Sequence, residues 1–474
     1  MPPSLALIVW FIILLCLFAF DPAKDRRGSP ALWLPLIWLV FVASRSPSQW
    51  LSLTTATIAT TLEEGSPLDH IVYFALICLA LRVLVARHVS WRDVFARNSA
   101  LLLFALLGLL SILWSDFPFA SFRRWLRELG TYLMVLVVLT DARPLDAIDA
   151  LIRRMSYLLI PLSIVLIKYF REIAVVYDPW SGGAAFVGVA SSKNMLGTLC
   201  LFSGLFLFWD TLRRWADRNR KRTRQILFVN AALLIMTLWL LNLSDSATSR
   251  LCLLIGCLII TIVQVGPGRA NPSRLKVMIP SVLIAGLLME FIFTASDTVA
   301  SFVGRDPTLS GRTEIWRILL NADTNPLFGV GYQSFWLGPR LAAVWAAYGM
   351  PGLNEAHNGY LETYLNLGLF GLCLLVWLLI ATYRMLCRRL TVSLHFASIS
   401  LAVWTILVVY NVTESAFGHS LPWFTLLLVG MAVPRSDAQM PVEVQRYHQA
   451  DKGRVVGRYV RPGLVRGSFH TENS

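Results

Sequence analysis

Long apolar stretches broken by short polar and basic loops dominate this chain. The clearest runs cover 4–20, 69–86, 99–115, 151–170, 194–212, 226–243, 251–265, 277–295, 366–383, 393–410 and 421–433. Weaker ones lie near 31–43, 47–62 and 129–140. A tilted helix needs roughly 17–25 apolar residues to cross a bilayer. The pattern therefore predicts an all-α polytopic membrane protein of about 12 transmembrane helices (range 11–14), by that length criterion. Four regions follow: a helical N-terminal body over 1–295, a large extramembrane segment over 296–365, C-terminal spans over 366–433, and a basic tail over 434–474. The segment 296–365 is far longer than an ordinary connection, which marks it as functional or separately structured.

Composition agrees. Of 474 residues, 56% are hydrophobic and 15% charged, against about 25% charged in soluble domains. Mean hydropathy is +0.62. A soluble globule has no interior for so much apolar surface, so the excess faces lipid. Secreted disulfide scaffolds and disordered chains are excluded. Seven cysteines lie without a C-x-x-C pair, six in apolar runs and Cys387 in a basic turn. They read as buried small hydrophobes rather than a zinc or redox site. The N-terminus has neither a basic leader nor a cleavage site, so 4–20 reads as a retained first span.

The net charge of +14 divides by location. Arg213, Arg214, Arg218, Arg220, Lys221, Arg222 and Arg224 crowd one loop, and Arg87, Arg92, Arg97, Arg269, Arg274, Lys276, Arg384, Arg388 and Arg389 fill three more. All four loops fall on one face together with the tail, which is the cytoplasmic face by the positive-inside rule. Both termini are expected there.

Other cations fall on the opposite face. Lys193 opens a helix after Ser191 and Ser192, either of which can cap it. A lysine opposes the positive end of the helix dipole, unless an anion binds there; an interfacial lysine with its head in water is the alternative. Arg250 repeats the pattern after Ser244–Ser249. Arg123, Arg124 and Arg127 fit an interfacial amphipathic turn better than a ligand contact. In Gly311-Arg312-Thr313-Glu314-Ile315-Trp316, helical spacing puts Arg312, Ile315, Trp316 and Leu319 on one stripe. An arginine on an apolar stripe needs an anion, either a bound phosphate gripped by two donors or a carboxylate such as Asp306 or Asp323. Glu355-Ala356-His357-Asn358-Gly359-Tyr360 brings a histidine to the mouth of a span, where it can take a proton near neutral pH.

No paired acidic cluster, Asp-x-Asp or H-E-x-x-H suggests a metal, and Gly329-Val330-Gly331 lacks the rest of a phosphate-binding loop. It reads as a tight turn after Asn325-Pro326.

Several patterns occur together and in order: Leu110-Ser111-Ile112-Leu113-Trp114-Ser115-Asp116-Phe117-Pro118, then Ser192-Lys193-Asn194-Met195-Leu196-Gly197, the Arg312 helix, Asn325-Pro326-Leu327-Phe328-Gly329-Val330-Gly331-Tyr332, and His357-Asn358-Gly359-Tyr360. From about 100 to 433 this order resembles the O-antigen ligase/polymerase family of bacterial inner-membrane proteins, and Tyr177-Asp178-Pro179-Trp180 resembles its exopolysaccharide-production branch. The resemblance implies a membrane glycosyltransferase fold and a metal-independent, cofactor-free transfer on the periplasmic face. The implied donor is a saccharide on undecaprenyl pyrophosphate, and the acceptor another glycan or lipid. Implied partners are these two substrates, membrane lipid and polysaccharide export or chain-length proteins, with no nucleic acid.

By motif, His357 would be the general base and Arg312 a pyrophosphate ligand, joined by Lys193 and Arg250. Asn194, Asn358, Tyr360 and Glu314 would support them. The family often carries Arg or Lys where this chain has Ala247, and Arg250 lies one helical turn on. The expected activity is polymerisation of lipid-linked repeat units. Transfer of the glycan to lipid A core is the alternative, and a transporter of lipid-linked glycan the reading from another class. For transport, Glu290 in the 277–295 run is the candidate relay group.

Overall fold

The computed structural model describes residues 1–19, 21, 29–51, 65–177, 183–265, 274–281, 308–349, 352–390 and 393–433. Most of the 47–62 and 277–295 runs, Glu290, Asp306, Arg269, Asp178-Pro179-Trp180 and the 434–474 tail lie outside the described residues. The compact unit they belong to runs from Met1 to Ala432.

The apolar runs become helices: α1 (Pro3–Ala19), α2 (Trp33–Ala43), α3 (Pro67–Ala86), α4 (Ser99–Leu110), α5 (Pro118–Leu139), α6 (Pro144–Tyr169), α7 (Lys193–Arg214), α8 (Lys221–Leu243), α9 (Ala247–Gln264), α10 (Thr308–Leu320), α11 (Gly338–Tyr348), α12 (Gly359–Arg389), α13 (Leu394–Thr413) and α14 (Leu421–Gly430). One small antiparallel hairpin, Val175–Tyr177 with Ala184–Phe186, interrupts the helical order. Among the described residues, seven helices are long and apolar enough to cross a membrane, or eight if the pair Trp91–Arg97 and Ser99–Trp114, bent by 96°, is one span.

That is fewer than the dozen the sequence predicts, and the described residues show why. α2 and α14 stop after 11 and 10 residues, and at 1.5 Å per residue neither reaches across a hydrocarbon core of about 30 Å. The short run 129–140 is the apolar half of α5, whose first turns carry Arg123, Arg124 and Arg127.

Burial separates inner from outer helices. In α7, 78% of the spanning window is buried inside the protein, against 28% in α3. α7 packs among α6, α8, α9 and α13. α8 turns Phe228 and Ile235 outward and α9 turns Leu254 outward, as lipid-facing side chains do. Cys387 lies buried within α12 rather than in a turn, while Cys16, Cys78 and Cys373 are exposed rather than buried. Lipid solvates a thiol's apolar surface as well as a core does, so nothing forces those three inward.

The basic face is structurally used. Arg87 donates to the Val137 carbonyl (2.6 Å) and Thr140 at the end of α5, and Arg389 to the Val429 carbonyl (2.7 Å) at the end of α14. Helix C-termini leave carbonyls unpaired and carry negative potential, so these arginines satisfy them. Between α6 and α7, Asp210 is fully buried and pairs with Arg153 (2.9 Å), Arg213 (2.6 Å) and Arg214 (2.8 Å). Asn230 on α8 donates to the same carboxylate (2.9 Å).

The outer segment builds its own core. Ile315 and Leu319 of α10 pack with Phe335, Trp336, Leu341, Val344 and Leu365. Its attachment to the spans depends on a break in α12. Gly368 has φ +64° and ψ −164°, dividing α12 into a short outer piece and the span. The strip 325–331 fills the break. Leu369 N–H donates to Pro326 O (2.9 Å), Phe370 N–H to Leu327 O (3.2 Å), Val330 N–H to Leu365 O (3.2 Å) and Gly331 N–H to Asn366 O (2.9 Å). Asn325 Oδ1 accepts from the amides of Leu327 and Phe328, making the expected turn. A side chain on Gly368 would collide with the Leu327 backbone, so the approach admits only glycine.

Candidate active site

His357, Arg312 and Asn194 come together, and the residue that gathers them is one the sequence reading passed over. Glu414 follows α13 as its C-cap, with its side chain only 7% exposed. Asn194 Nδ2 donates to both carboxylate oxygens (3.1 Å each). Arg312 donates from Nη2 to Glu414 Oε1 (3.2 Å) and from Nη1 to the Thr413 carbonyl (2.5 Å). His357 Nδ1 lies 3.7 Å from Glu414 Oε2 and 3.2 Å from Glu355 Oε1.

The Arg312 stripe forms as expected: Ile315 and Leu319 are buried and Trp316 Nε1 donates to Ala356 O (2.9 Å). That last bond holds α10 against the loop bearing His357. Arg312's carboxylate partner is Glu414, not Asp323.

Local sequence sets the histidine. Asn358 caps α12, its Oδ1 accepting from Tyr360 and Leu361 N–H (3.0 Å each), while its own amide donates to Ser415 Oγ (3.2 Å). Gly359 N–H donates to the Glu414 carbonyl (3.0 Å). Tyr360 donates to Val408 O (3.0 Å). Asn358 and Tyr360 thus pin α12 to α13 and reach the site only through His357, which sits at φ 47°, an uncommon conformation for a residue with a side chain. Glu314 has no part in the cluster; it is exposed and pairs with Arg317 (2.6 Å).

Burial would push the His357 imidazole down. The Glu414 carboxylate, then the charge of Glu355, outweigh burial and the opposing Arg312, and raise it above its usual range. With Nδ1 turned to two carboxylates its proton belongs there, which leaves Nε2 as the basic nitrogen. Glu355, His357 and Glu414 each offer a ligand atom within 4.8 Å of the others, close enough for a divalent ion. Arg312 and Asn194 already occupy Glu414, however, and a metal would have to enter beside a fixed guanidinium. The arrangement suits an internally neutralised acid–base cluster better.

Lys193 and Arg250 sit beside it on two converging helix ends. Ser192 caps α7 and accepts from Met195 N–H (3.2 Å); Ser246 caps α9. Gly197 lets these ends meet, since a Cβ there would lie 2.6 Å from Ser246 Cβ. Thr248 Oγ1 lies 2.9 Å from Thr413 Oγ1, which ties α9 to the residue before Glu414. Lys193 is exposed; Arg250, 43% exposed, pairs with Asp245 (2.6 Å), and Ala247 is exposed beside it. Two helix N-termini, whose free N–H groups carry positive potential, thus meet here with Lys193 and Arg250 on them.

Residues 231–376 match the O-antigen ligase family. A relative, the exopolysaccharide production protein ExoQ of Rhizobium meliloti (strain 1021), is 26% identical over 334 residues, spanning 67% of this chain and 70% of the relative. The chain is thus similar to the O-antigen ligase family over 231–376 and to this exopolysaccharide production protein over 67% of its length. The family match contains Arg250, Arg312 and His357, while Lys193, Asn194 and Glu414 lie outside it. The cluster therefore draws on residues beyond the matched region. One signal could have exposed Glu414: it is the only carboxylate in the loop 411–420, at the end of an apolar run, and an ionisable group at such depth is a functional candidate by default.

Proposed function

We propose that this protein polymerises undecaprenyl-pyrophosphate-linked saccharide repeat units on the periplasmic face of the inner membrane, without a metal. The observation that carries the reading is the pairing of His357 with Glu414, beside Arg312 and the two cationic helix ends. In the reaction His357 Nε2 takes the proton of the acceptor hydroxyl as its oxygen attacks the anomeric carbon. The bond from that carbon to the diphosphate oxygen breaks, and the diphosphate leaves with the electron pair. Lys193 and Arg250 meet the charge that develops, as preorganised cations do at leaving groups. Arg312 uses two of its five donors on Glu414 and Thr413, so it neutralises the carboxylate and keeps further N–H donors at the same edge.

The test is His357→Ala in membranes supplied with lipid-linked repeat units. Chain extension is expected to fall at least about 100-fold, the usual scale for a lost general base, at unchanged protein level. Undiminished extension would overturn the assignment. Transfer of intact chains to lipid A core, with no growth, would favour the ligase; translocation without bond formation would favour the transporter.

A further inference from the structure

The loop that carries His357 is held by more than the contacts around Glu414. His357 keeps its φ of 47° between two neighbours whose backbone polar groups are taken. After it, the Asn358 amide donates to Ser415 Oγ (3.2 Å). Before it, the buried Ala356 accepts from Trp316 Nε1 at its carbonyl (2.9 Å) and donates from its amide to Glu362 Oε2 (3.0 Å). A residue with a side chain stays in such a conformation only where its surroundings fix it from several directions.

Glu362 supplies one jaw of that clamp. It stands in the first turn of α12, in the outer piece before the break at Gly368. Its other oxygen, Oε1, accepts from Trp336 Nε1 (2.7 Å) and Asn366 Nδ2 (3.1 Å). Asn366 Oδ1 accepts in turn from the Phe335 amide (3.1 Å). All three partners of the carboxylate are donors, and they are shared between its two oxygens. A carboxylate offers two acceptor oxygens, whereas an amide of the same shape offers one. Phe335 and Trp336 belong to the core of the outer segment with Ile315 and Leu319, so Glu362 ties the Ala356 peptide to that core. With its oxygens on Ala356, Trp336 and Asn366, it acts on His357 through the peptide rather than by contact.

We propose that Glu362 is a positioning residue for the catalytic loop: by holding the Ala356 amide it keeps His357 in its uncommon backbone conformation, with Nδ1 on Glu355 and Glu414 and Nε2 left to take the acceptor proton. The inference rests on the glycan-transfer reading, in which His357 is the base, and adds a residue that touches neither substrate. Without the clamp the His357 backbone relaxes to negative φ and its imidazole turns away from both carboxylates.

The test is Glu362→Gln in the full-length purified protein, assayed by chain extension from lipid-linked repeat units. kcat should fall at least about tenfold while KM for the donor changes less than about twofold, the pattern of an interaction that serves the transition state. The acid limb of the pH–rate profile should move to lower pH, because a displaced imidazole loses the Glu355 and Glu414 carboxylates that outweigh burial and Arg312. In a His357→Ala background the same substitution should change the residual turnover less than about twofold, since a residue acting through His357 then has nothing to act on. Trp316→Phe, which releases the Ala356 carbonyl instead, should repeat the loss of kcat at unchanged KM, and it carries the test where Glu362→Gln yields no folded protein. Wild-type kcat in these variants, an unmoved acid limb, or a further fall of about tenfold in the His357→Ala background would each overturn the proposal. Full turnover by His357→Ala alone would defeat the base assignment itself, whereas a fall there with wild-type kcat in Glu362→Gln would defeat only the positioning role.

Discussion

Replacing Glu414 by Gln tests the cluster most directly. The substitution preserves shape and removes one charge from a carboxylate that accepts two bonds from Asn194, accepts one from Arg312 and faces His357 Nδ1. Two consequences follow from those contacts. Arg312, with 24% of its side chain exposed, loses its counter-charge, and hydrogen bonds to charged groups contribute about 1.5–3 kcal/mol each. If the loss falls on the transition state, turnover drops by about 10- to 150-fold, since about 1.4 kcal/mol is a factor of ten. The second consequence is directional. A base works only when unprotonated, so wild-type turnover should fall as pH drops through the raised His357 value, which lies above the ordinary value of about 6.5. Glu414 is the main support of that raised value, so Glu414→Gln should move the acid limb to lower pH. The assay is a pH–rate profile of chain extension by purified protein with lipid-linked repeat units. An unmoved limb, or one moved upward, would refute the pairing of His357 with Glu414.

Lys193→Ala/Arg250→Ala should raise the KM for lipid-linked donor about tenfold or more and lower kcat as well, because leaving-group charge is greatest in the transition state; an unchanged KM would move the donor elsewhere. Gly368→Ala should lower thermal stability in detergent by about 1–3 kcal/mol, the cost of forcing a side chain into such a conformation, read by fluorescence melting. Asp210→Asn leaves Arg153, Arg213 and Arg214 to share the Asp149 carboxylate and should cost about 3–5 kcal/mol, seen as loss of folded protein in the membrane; full expression and an unchanged melt would count against the network's role.

Local order along the chain was legible. Hydrophobic runs located most helices, the stripe of Arg312, Ile315, Trp316 and Leu319 formed as spaced, and Asn325-Pro326 announced its turn. Those features depend on neighbours three or four residues apart. Glu414 was not legible because its meaning comes from Asn194, 220 residues away, and Arg312, 102 residues away. The partner of Arg312 was sought among acids of its own segment, where proximity in sequence favoured Asp306 and Asp323. α5 was half missed because its basic first turns mask a continuous helix of 22 residues. Cations were sorted by face alone, which hid the arginines that cap helix ends, and Arg45, which donates to Ile173 O (2.6 Å) and Ala190 O (3.1 Å) to hold the loop before Lys193.

The buried ion cluster between α6 and α7 bears on how the chain is made. An aspartate or arginine left unpaired within a membrane-crossing helix is costly to insert. Asp210 draws Arg213 and Arg214 from its own helix, but Arg153 and Asp149 stand on the preceding one. Leaving the translocon as a hairpin, the two segments enter lipid already neutralised. The pair, rather than either helix alone, is therefore the unit that lipid accepts at lowest cost.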